Sequence, residues 1–250
     1  MFEKLGVLSD IHANALALKA VLRDADGRGV RRFVNRGDLL YGPLQPLETY
    51  RILQSTNVIA TVAGNQDRAI FNATPDDLRA SKTLAFVNHS LGDDPILWLR
   101  SLPGTAVIND SVFLCHGTPA SDTTYLLEDV ISGNPHVRPA RSIAELLGSV
   151  REPAILCGHS HIARMIQLPG GQLVLNPGSV GLPAYEDALP VNHFMETYAP
   201  HASYAVLEAR SGSWIVSFHR VRYEWDEAAM RARELGREDW AQALAAGRMR

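Results

Sequence analysis

Three apolar runs near the start of the chain alternate with helix-like segments, and this alternation limits the fold most strongly. Residues 5–9 are apolar without a polar alternation, as expected of a strand buried on both faces. Further strands are predicted at 32–35 and 58–62, with helices after Asn14 and at about 44–53. A βαβαβ order favours parallel strands with crossover helices, in which ligands bind beyond the carboxyl ends of the strands.

The second half of the chain is richer in predicted strands. They lie at 105–109, 112–115, 154–157, 165–168, 172–175, 204–207 and 214–218, the last two joined by a turn at 211–213. A polar helix is predicted at about 226–246, with Trp225 and Trp240 among the residues that dock it. The expected organisation is a single α/β domain over residues 1–250, with this helix packed on it.

Composition narrows the classes of partner. A formal net charge of -3 provides no basic excess to hold bulk nucleic acid. Two cysteines, Cys115 and Cys157, cannot build a disulfide framework and fit a reducing compartment as buried thiols. The start at Met1 to Lys4 does not read as a signal peptide, and no apolar run is long enough to span a bilayer. We therefore expect a cytoplasmic protein without membrane contact; its oligomeric state stays open.

Five short segments each place metal-binding side chains directly after a predicted strand. They supply two Asp, one Asn and four His, namely Asp10, His12, Asp38, Asn65, His116, His159 and His161. This set exceeds the needs of one ion and suits two divalent ions, such as Mn²⁺, Fe, Zn²⁺ or Ni²⁺. Two ions bridged by one carboxylate form a site that hydrolyses phosphate esters. A single segment of this kind is weak, since each alone also fits an incidental turn or a structural one-metal site; the ordered set carries the prediction.

The order Asp-x-His, Gly-Asp, Gly-Asn-x-Asp, His-Gly, Gly-His-x-His resembles the calcineurin-like metallophosphoesterase superfamily. The run at 176–181 resembles its small bacterial phosphodiesterase branch, and the resemblance covers about residues 5–218. It implies a four-layer α-β-β-α sandwich with two central mixed sheets. Carried over by position, it implies one ion at Asp10, His12 and His161, a second at Asn65, His116 and His159, and a bridge through Asp38.

The resemblance also implies a dinuclear phosphoesterase in which a metal-bridging hydroxide attacks phosphodiesters or activated phosphomonoesters. The substrate would be a small phosphate ester. Two alternatives stay open at this point. One is a phosphomonoesterase acting on nucleotides, phosphoproteins or dinucleoside polyphosphates, and the other is a non-catalytic metal-binding scaffold.

Gln66 is the main departure from the family pattern, because many members have a histidine after the asparagine. Glutamine cannot protonate a leaving group, although it can hydrogen-bond a phosphoryl oxygen. The candidate catalytic residues are therefore Asp38, Asn65, Gln66 and Arg36. Three other histidines, at 89, 136 and 193, are alternative acids, but each is more simply a surface residue.

Several residues near these motifs allow two interpretations. Arg36 can contact phosphate or form a salt bridge, for example with Asp67, and we favour the salt bridge. Asp67 can also support a ligand histidine. Arg68 is a phosphate-binding candidate or a solvated helix residue, and Tyr41 either lines the cleft or packs. The irregular stretch 118–139 shapes substrate access or is an ordered surface excursion, and the turn at 176–179 faces the site or braces it.

Overall fold

The computed structural model describes residues 4–210 and 213–250, so the predictions at Met1 to Glu3 and at the turn residues Ser211 and Gly212 lie outside the described residues. The strands are β1 (Leu5–Leu8), β2 (Phe33–Asn35), β3 (Val58–Thr61), β4 (Thr105–Ile108), β5 (Val112–Cys115), β6 (Glu128–Asp129), β7 (His136–Val137), β8 (Ala154–Leu156), β9 (Arg164–Gln167), β10 (Leu173–Asn176), β11 (Ala184–Asp187), β12 (His193–Glu196), β13 (Ala202–Arg210) and β14 (Ser213–Val221). The helices are α1 (Ala15–Gly27), α2 (Pro46–Ser55), α3 (Asn65–Phe71), α4 (Pro75–Ala80), α5 (Lys82–Leu91), α6 (Asp93–Ser101), α7 (Ala140–Leu147), α8 (Trp225–Glu234) and α9 (Glu238–Ala246).

Two mixed sheets form the centre of the fold. The first has the strand order β14-β13-β1-β2-β3, in which β1, β2 and β3 run parallel and β13 pairs antiparallel with β1. The second has the order β4-β5-β8-β10-β9, with β5, β8 and β10 parallel. The predicted crossover connections are confirmed, because α1 and α2 join the parallel strands β1, β2 and β3. The carboxyl ends of parallel strands lie at one edge of each sheet.

Apolar side chains fill the space between the two sheets. Val7 and Val34 of the first sheet belong to the same buried cluster as Leu114, Leu156 and Leu175 of the second. Helices α1, α2, α5, α6, α8 and α9 cover the outer face of the first sheet, and α7 covers the second. The four-layer α-β-β-α arrangement is therefore confirmed, and the two sheets meet through buried apolar side chains.

Local signals account for several element boundaries. Asn14 caps α1 as predicted, its side-chain oxygen accepting from the Ala17 amide at 3.0 Å. The helix predicted at 44–53 is α2, which begins at Pro46 because proline suits the first helical turn. The four helices between Asn65 and Ser101 have no counterpart in the sequence-based prediction. Among the described residues, none of the helices has the length and apolar character needed for a bilayer span.

The predicted single helix at 226–246 is wrong in one respect. The structure has two helices, α8 and α9, which end and begin on either side of Gly236. Gly236 has a φ of 71°, a left-handed conformation that interrupts a helix and that glycine adopts without strain. The chain therefore reverses and packs α9 against β11.

Candidate metal centre

The predicted ligands meet where the carboxyl ends of strands from both sheets come together. Asp10 follows β1, Asp38 follows β2, and Asn65 is the first residue of α3. His116 follows β5, and the remaining ligands follow β8. Their donor atoms form two groups, each within 4.8 Å: Asp10 with His12 and His161, and Asp38 with His116 and His159. We call these the first and the second ligand group.

The backbone at these positions is strained. Asp10, His12, Asp38, His159 and His161 all have φ between 50° and 69°, a region that residues with a side chain rarely adopt. Strain of this kind costs about 1–3 kcal/mol per residue and accumulates at functional sites, where the surrounding structure holds it. Here it turns consecutive loop side chains toward a common centre.

Asp38 directs one carboxylate oxygen between the two groups. Its Oδ1 accepts a hydrogen bond from the Gln66 amide at 2.9 Å. This close approach requires glycine at 64, because a Cβ there would lie 2.2 Å from Oδ1. The other oxygen, Oδ2, lies 3.5 Å from His116 Nε2 and 3.9 Å from His12 Nε2. This oxygen therefore lies between a histidine of the first group and one of the second.

Asp10 is held in a similar way. Its Oδ2 accepts from the His159 amide at 3.2 Å, and its Oδ1 lies 3.4 Å from His161 Nε2 and 4.0 Å from His116 Nε2. That Oδ1 is buried without a hydrogen-bond partner. A buried, unsatisfied carboxylate oxygen is costly, so this atom fits a place where a cation supplies the missing partner.

The histidine rings of the first group are oriented by carbonyl oxygens. His12 Nδ1 donates to Tyr41 O at 3.2 Å, and His161 Nδ1 donates to Leu182 O at 2.6 Å. Because a carbonyl can only accept, each Nδ1 carries a proton, and Nε2 is the atom that each ring directs to the centre of the group. The two Nε2 atoms lie 3.1 Å apart. Two lone pairs at this distance repel each other unless a cation or a proton lies between them.

In the second group a backbone carbonyl also orients a histidine ring, that of His116, but this ring is protonated. His116 Nδ1 donates to Arg36 O at 2.6 Å, and its Nε2 lies 3.0 Å from Asn65 Oδ1. Burial lowers the pKa of His116, but Asp38 and Asp10 outweigh this effect and raise it to about 10. Without metal, His116 therefore carries a proton on each ring nitrogen at neutral pH, and Nε2 donates to Asn65.

Burial, assisted by neighbouring histidines, lowers the pKa of His12 and of His159 to about 4. Both rings are therefore neutral at pH 7, and His159 Nε2 has no hydrogen-bond partner. Burial raises the pKa of Asp10, but the histidines, with His161 first, lower it further, so the net shift is downward. Neutral imidazoles and ionised carboxylates are the forms that bind metal.

Aromatic rings pack behind three of the ligand histidines. Tyr125 stacks on His159 with a centroid distance of 4.6 Å, and Tyr185 lies edge-on to His161 at 4.5 Å. Trp240 of α9 lies edge-on to His12 at 5.7 Å. Local sequence did not predict that Tyr185 and Trp240 contact the ligand histidines; the one signal for Trp240 was a large aromatic residue on an otherwise polar helix.

Arg36 lies behind the site, which differs from its predicted roles. The side chain is fully buried, and its Nε donates to Cys157 O at 2.7 Å. Burial lowers the pKa of Arg36 to about 10.

Asp67 does not pair with Arg36, because the Asp67 oxygens accept hydrogen bonds from the amides of Gly64 and Leu39 at 3.0 and 2.8 Å. The expected salt bridge and the expected support of a ligand histidine are both wrong: at the third position of α3, Asp67 caps the helix.

The remaining candidate residues differ in whether they line the cavity over the metal centre. Gln66 and Tyr41 line the cavity over the metal centre, whereas Arg68 forms an ion pair with Asp122 at 2.6 Å. The predicted surface position of His193 is wrong, since it is fully buried and hydrogen-bonded to Tyr125 at 3.0 Å. The histidines at 89 and 136 are exposed, and neither they nor residues of 118–139 line this cavity in the part of the chain that the structure describes. That stretch is an ordered excursion whose Tyr125 packs behind the site.

The turn at 176–179 braces the ligand loops. Asn176 donates to Gly158 O at 2.8 Å, and Ser179 donates to Asp10 O at 2.7 Å. These contacts hold the loops that follow β1 and β8 against each other.

Cys115 and Cys157 are free and buried, as predicted, and burial raises the pKa of the Cys115 thiol to about 12, which leaves it unreactive.

Three comparisons with known proteins bear on this geometry. Residues 4–211 match the sequence model of the calcineurin-like phosphoesterase superfamily domain. An uncharacterized protein of Methanocaldococcus jannaschii is 26% identical over 203 residues, which cover 72% of this chain and 76% of that protein. The crystal structure of a metallophosphoesterase from Sphaerobacter thermophilus superposes with a TM-score of 0.76 at 26% identity, covering 99% of this chain and 100% of that one.

Proposed function

This chain belongs to the calcineurin-like phosphoesterase superfamily, a family of metal-dependent phosphoric ester hydrolases, and on that premise we propose that it uses two divalent ions to hydrolyse small phosphodiesters or activated phosphomonoesters. The proposal goes beyond family membership in the number of ions, the roles of the ligands and the class of substrate. Mn²⁺, Fe, Zn²⁺ and Ni²⁺ all suit donors of the imidazole and carboxylate type.

The observation that carries the proposal is the meeting of metal-binding nitrogen and oxygen atoms at one place, two of which are buried without a hydrogen-bond partner. The Nε2 atoms of His12 and His161 face each other at 3.1 Å, and Asp10 Oδ1 is buried without a partner beside them. In the second group, His159 Nε2 is also buried without a partner. A cation in each group would supply the missing partner of Asp10 Oδ1 and of His159 Nε2, because a buried acceptor without a partner is costly.

The residues of the chain would divide the work in the following way. Asp10, His12 and His161 would hold one ion, Asn65, His116 and His159 the other, and Asp38 Oδ2 would reach both. When bound, two such ions lower the pKa of a coordinated water and offset the charge that develops on the phosphoryl oxygens. The neutral Asn65 oxygen adds a donor without adding negative charge.

Gln66 sets the preference for substrate. It lines the cavity, and its side-chain amide can donate to a phosphoryl oxygen but cannot protonate a departing alkoxide. The alternative acids considered above, the histidines at 89, 136 and 193, do not line the cavity of the described chain. A missing general acid costs about 10²–10⁴-fold for a poor leaving group and little for a good one. Activated esters are therefore the best first substrates.

The test is metal removal followed by Mn²⁺ addition, with bis-p-nitrophenyl phosphate and p-nitrophenyl phosphate as substrates. We expect metal-dependent hydrolysis that Asp38→Asn lowers by about 10³-fold, because the change removes charge from both sites and weakens stabilisation worth about 4 kcal/mol. Asp93→Asn, the same change on the exposed start of α6, should leave the rate unaltered.

Each outcome of this test is informative. Hydrolysis that favours the diester supports a phosphodiesterase, and hydrolysis that favours the monoester moves the assignment to a phosphomonoesterase. Two ions per chain without hydrolysis of either ester contradict the proposed preference for activated esters. No bound metal and no hydrolysis make the non-catalytic scaffold the better account.

A further inference from the structure

A cavity of about 470 Å³ opens over the two ligand groups. Volumes of a few hundred Å³ are typical of pockets that enclose a small organic ligand, and a phosphate alone needs far less. His12, Asp38 and Asn65 line this space together with His159 and His161, so the cavity and the metal centre form one site. The remaining walls must therefore contact the organic part of the substrate.

Much of one wall lies outside the residues that match the family. Trp240 and Ala243 of α9 line the cavity, together with Met249 beyond the helix, whereas the family match ends at residue 211. Trp240 lies on the backbone at Gly42, where a Cβ would meet its ring at 3.0 Å. Trp240, Ala243 and Met249 give this wall an apolar, aromatic portion, which suits an uncharged surface of a ligand better than a second phosphate.

Arg237 is the one arginine among the described residues that line the cavity, and its donors are already engaged. Its Nε and Nη2 donate to Asp239 at 2.8 and 2.5 Å, and its Nη1 donates to Thr83 at 2.5 Å. The guanidinium also lies 5.5 Å from the centroid of Trp240. The positive charge is thus offset inside the wall and is not presented to a ligand.

The part of the lining that β11 forms, next to α9, carries negative charge without an ion pair. Glu186 and Asp187 of β11 line the cavity, and within the described residues neither carboxylate forms an ion pair within 4.0 Å. Arg250 stacks on Phe194, the cross-strand neighbour of Glu186, but it does not line the cavity. Away from the ligand groups, the walls therefore have three carboxylates against one guanidinium.

We propose that this cavity selects diesters of a single phosphate whose organic groups are uncharged or cationic, and that Glu186 and Asp187 exclude substrates bearing further phosphates. The inference rests on the proposed function and names its class of substrate. A second phosphate in the cavity would lie near two uncompensated carboxylates, and the repulsion is worth about tenfold in kcat/KM at an intermediate dielectric. A cationic group would gain from the same charges.

The test compares three esters that all release p-nitrophenolate: thymidine 5′-(p-nitrophenyl phosphate), the same compound with a 3′-phosphate, and p-nitrophenyl phosphorylcholine. With the Mn²⁺-loaded protein, we expect the added 3′-phosphate to lower kcat/KM by about tenfold. In the double variant Glu186→Gln, Asp187→Asn, the penalty should shrink to about threefold or less, and phosphorylcholine ester hydrolysis should fall. Asparagine at 187 keeps the oxygen that accepts from the Leu189 amide at 3.0 Å.

The double variant Asp93→Asn, Asp94→Asn is the matched control, because it changes net charge equally on the exposed first turn of α6. It should leave the ratios between substrates unaltered. A purely structural effect of the β11 substitutions would lower all three rates together and keep the ratios constant. Constant ratios, or no penalty for the 3′-phosphate in the unmodified protein, would overturn the inference.

Failure of the proposed function gives a different result, namely no hydrolysis of any diester by the metal-loaded protein. The charge preference is then judged by equilibrium binding of thymidine 5′-monophosphate and thymidine 3′,5′-bisphosphate, followed by tryptophan fluorescence. Weaker binding of the bisphosphate, relieved in the β11 variant, supports the inference. Equal or tighter binding of the bisphosphate overturns it.

Discussion

The two ligand groups lie side by side but are prepared for metal in different ways. In the first group, His12 and His161 are directed by loop carbonyls, and aromatic rings back both of them. In the second group, His116 keeps a proton and uses it to hold Asn65. His12 of the first group therefore presents a lone pair before an ion arrives, whereas His116 of the second group must exchange a proton for its ion.

The largest effect that tests this comparison is removal of one histidine from each group. We expect His12→Ala and His116→Ala each to lose one ion and to lower kcat/KM by more than about 10²-fold, because partners beyond the direct ligands already cost roughly 10–100-fold. Metal content by mass spectrometry of the native protein checks the first part. His136→Ala, at an exposed site, is the control. Retention of two ions in either variant would contradict the assignment of ligands to groups.

The number of protons released when each ion binds is a second test of the difference between the two ligand groups. The pKa of His116 is raised to about 10, so at pH 7 the second ion must displace its proton. The pKa of His12 is lowered to about 4 and that of Asp10 is lowered too, so these two ligands release no proton to the first ion. Affinity for the second ion should rise up to about tenfold per pH unit between pH 6 and 9.

Calorimetric titration with Mn²⁺ in two buffers of different ionisation enthalpy measures this release. We expect about one proton for the second ion, and its disappearance in His116→Ala. Equal proton release for both ions would contradict the proposed difference between the two ligand groups. An affinity for the second ion that does not vary with pH would contradict it as well.

Trp240 tests whether the C-terminal helices support the first group. Its ring is 7% exposed and lies against His12, so Trp240→Leu should destabilise the protein by about 1–3 kcal/mol and weaken the first ion by up to about tenfold. Trp98→Leu, on α6 beside Tyr50, is a control for the general cost of removing an indole. Equal effects of the two substitutions on metal affinity would refute a specific role for Trp240.

The smallest expected effect concerns Gln66. With bis-p-nitrophenyl phosphate, Gln66→Ala should lower kcat/KM by less than about threefold, because a good leaving group needs no protonation. Gln66→His should leave this substrate unaffected and accelerate diesters of less acidic phenols. A loss of about 10²-fold or more in Gln66→Ala would mean that the side chain stabilises the transition state directly.

Several parts of the site followed from local sequence. Asp10 with His12, and His159 with His161, come directly after strands whose unbroken apolar character marks them as buried. Parallel strands bring their carboxyl ends to one edge, so the meeting of these ligands was predictable from the strand order. The roles of Asp67 and Arg36 were not predictable, because either could pair with a charge or with backbone, and only packing decides between them.

The sequence by itself predicted the candidate ligands, the parallel strands that carry them and the capped start of α1, because residue type and periodicity act over a few residues. Only the tertiary structure decided that His193 is buried, that Arg36 lies behind the site and that α9 forms a cavity wall. These features depend on contacts between segments far apart in the chain, such as Trp240 with His12. A local pattern shows which face of a helix is apolar, but not which distant surface buries it.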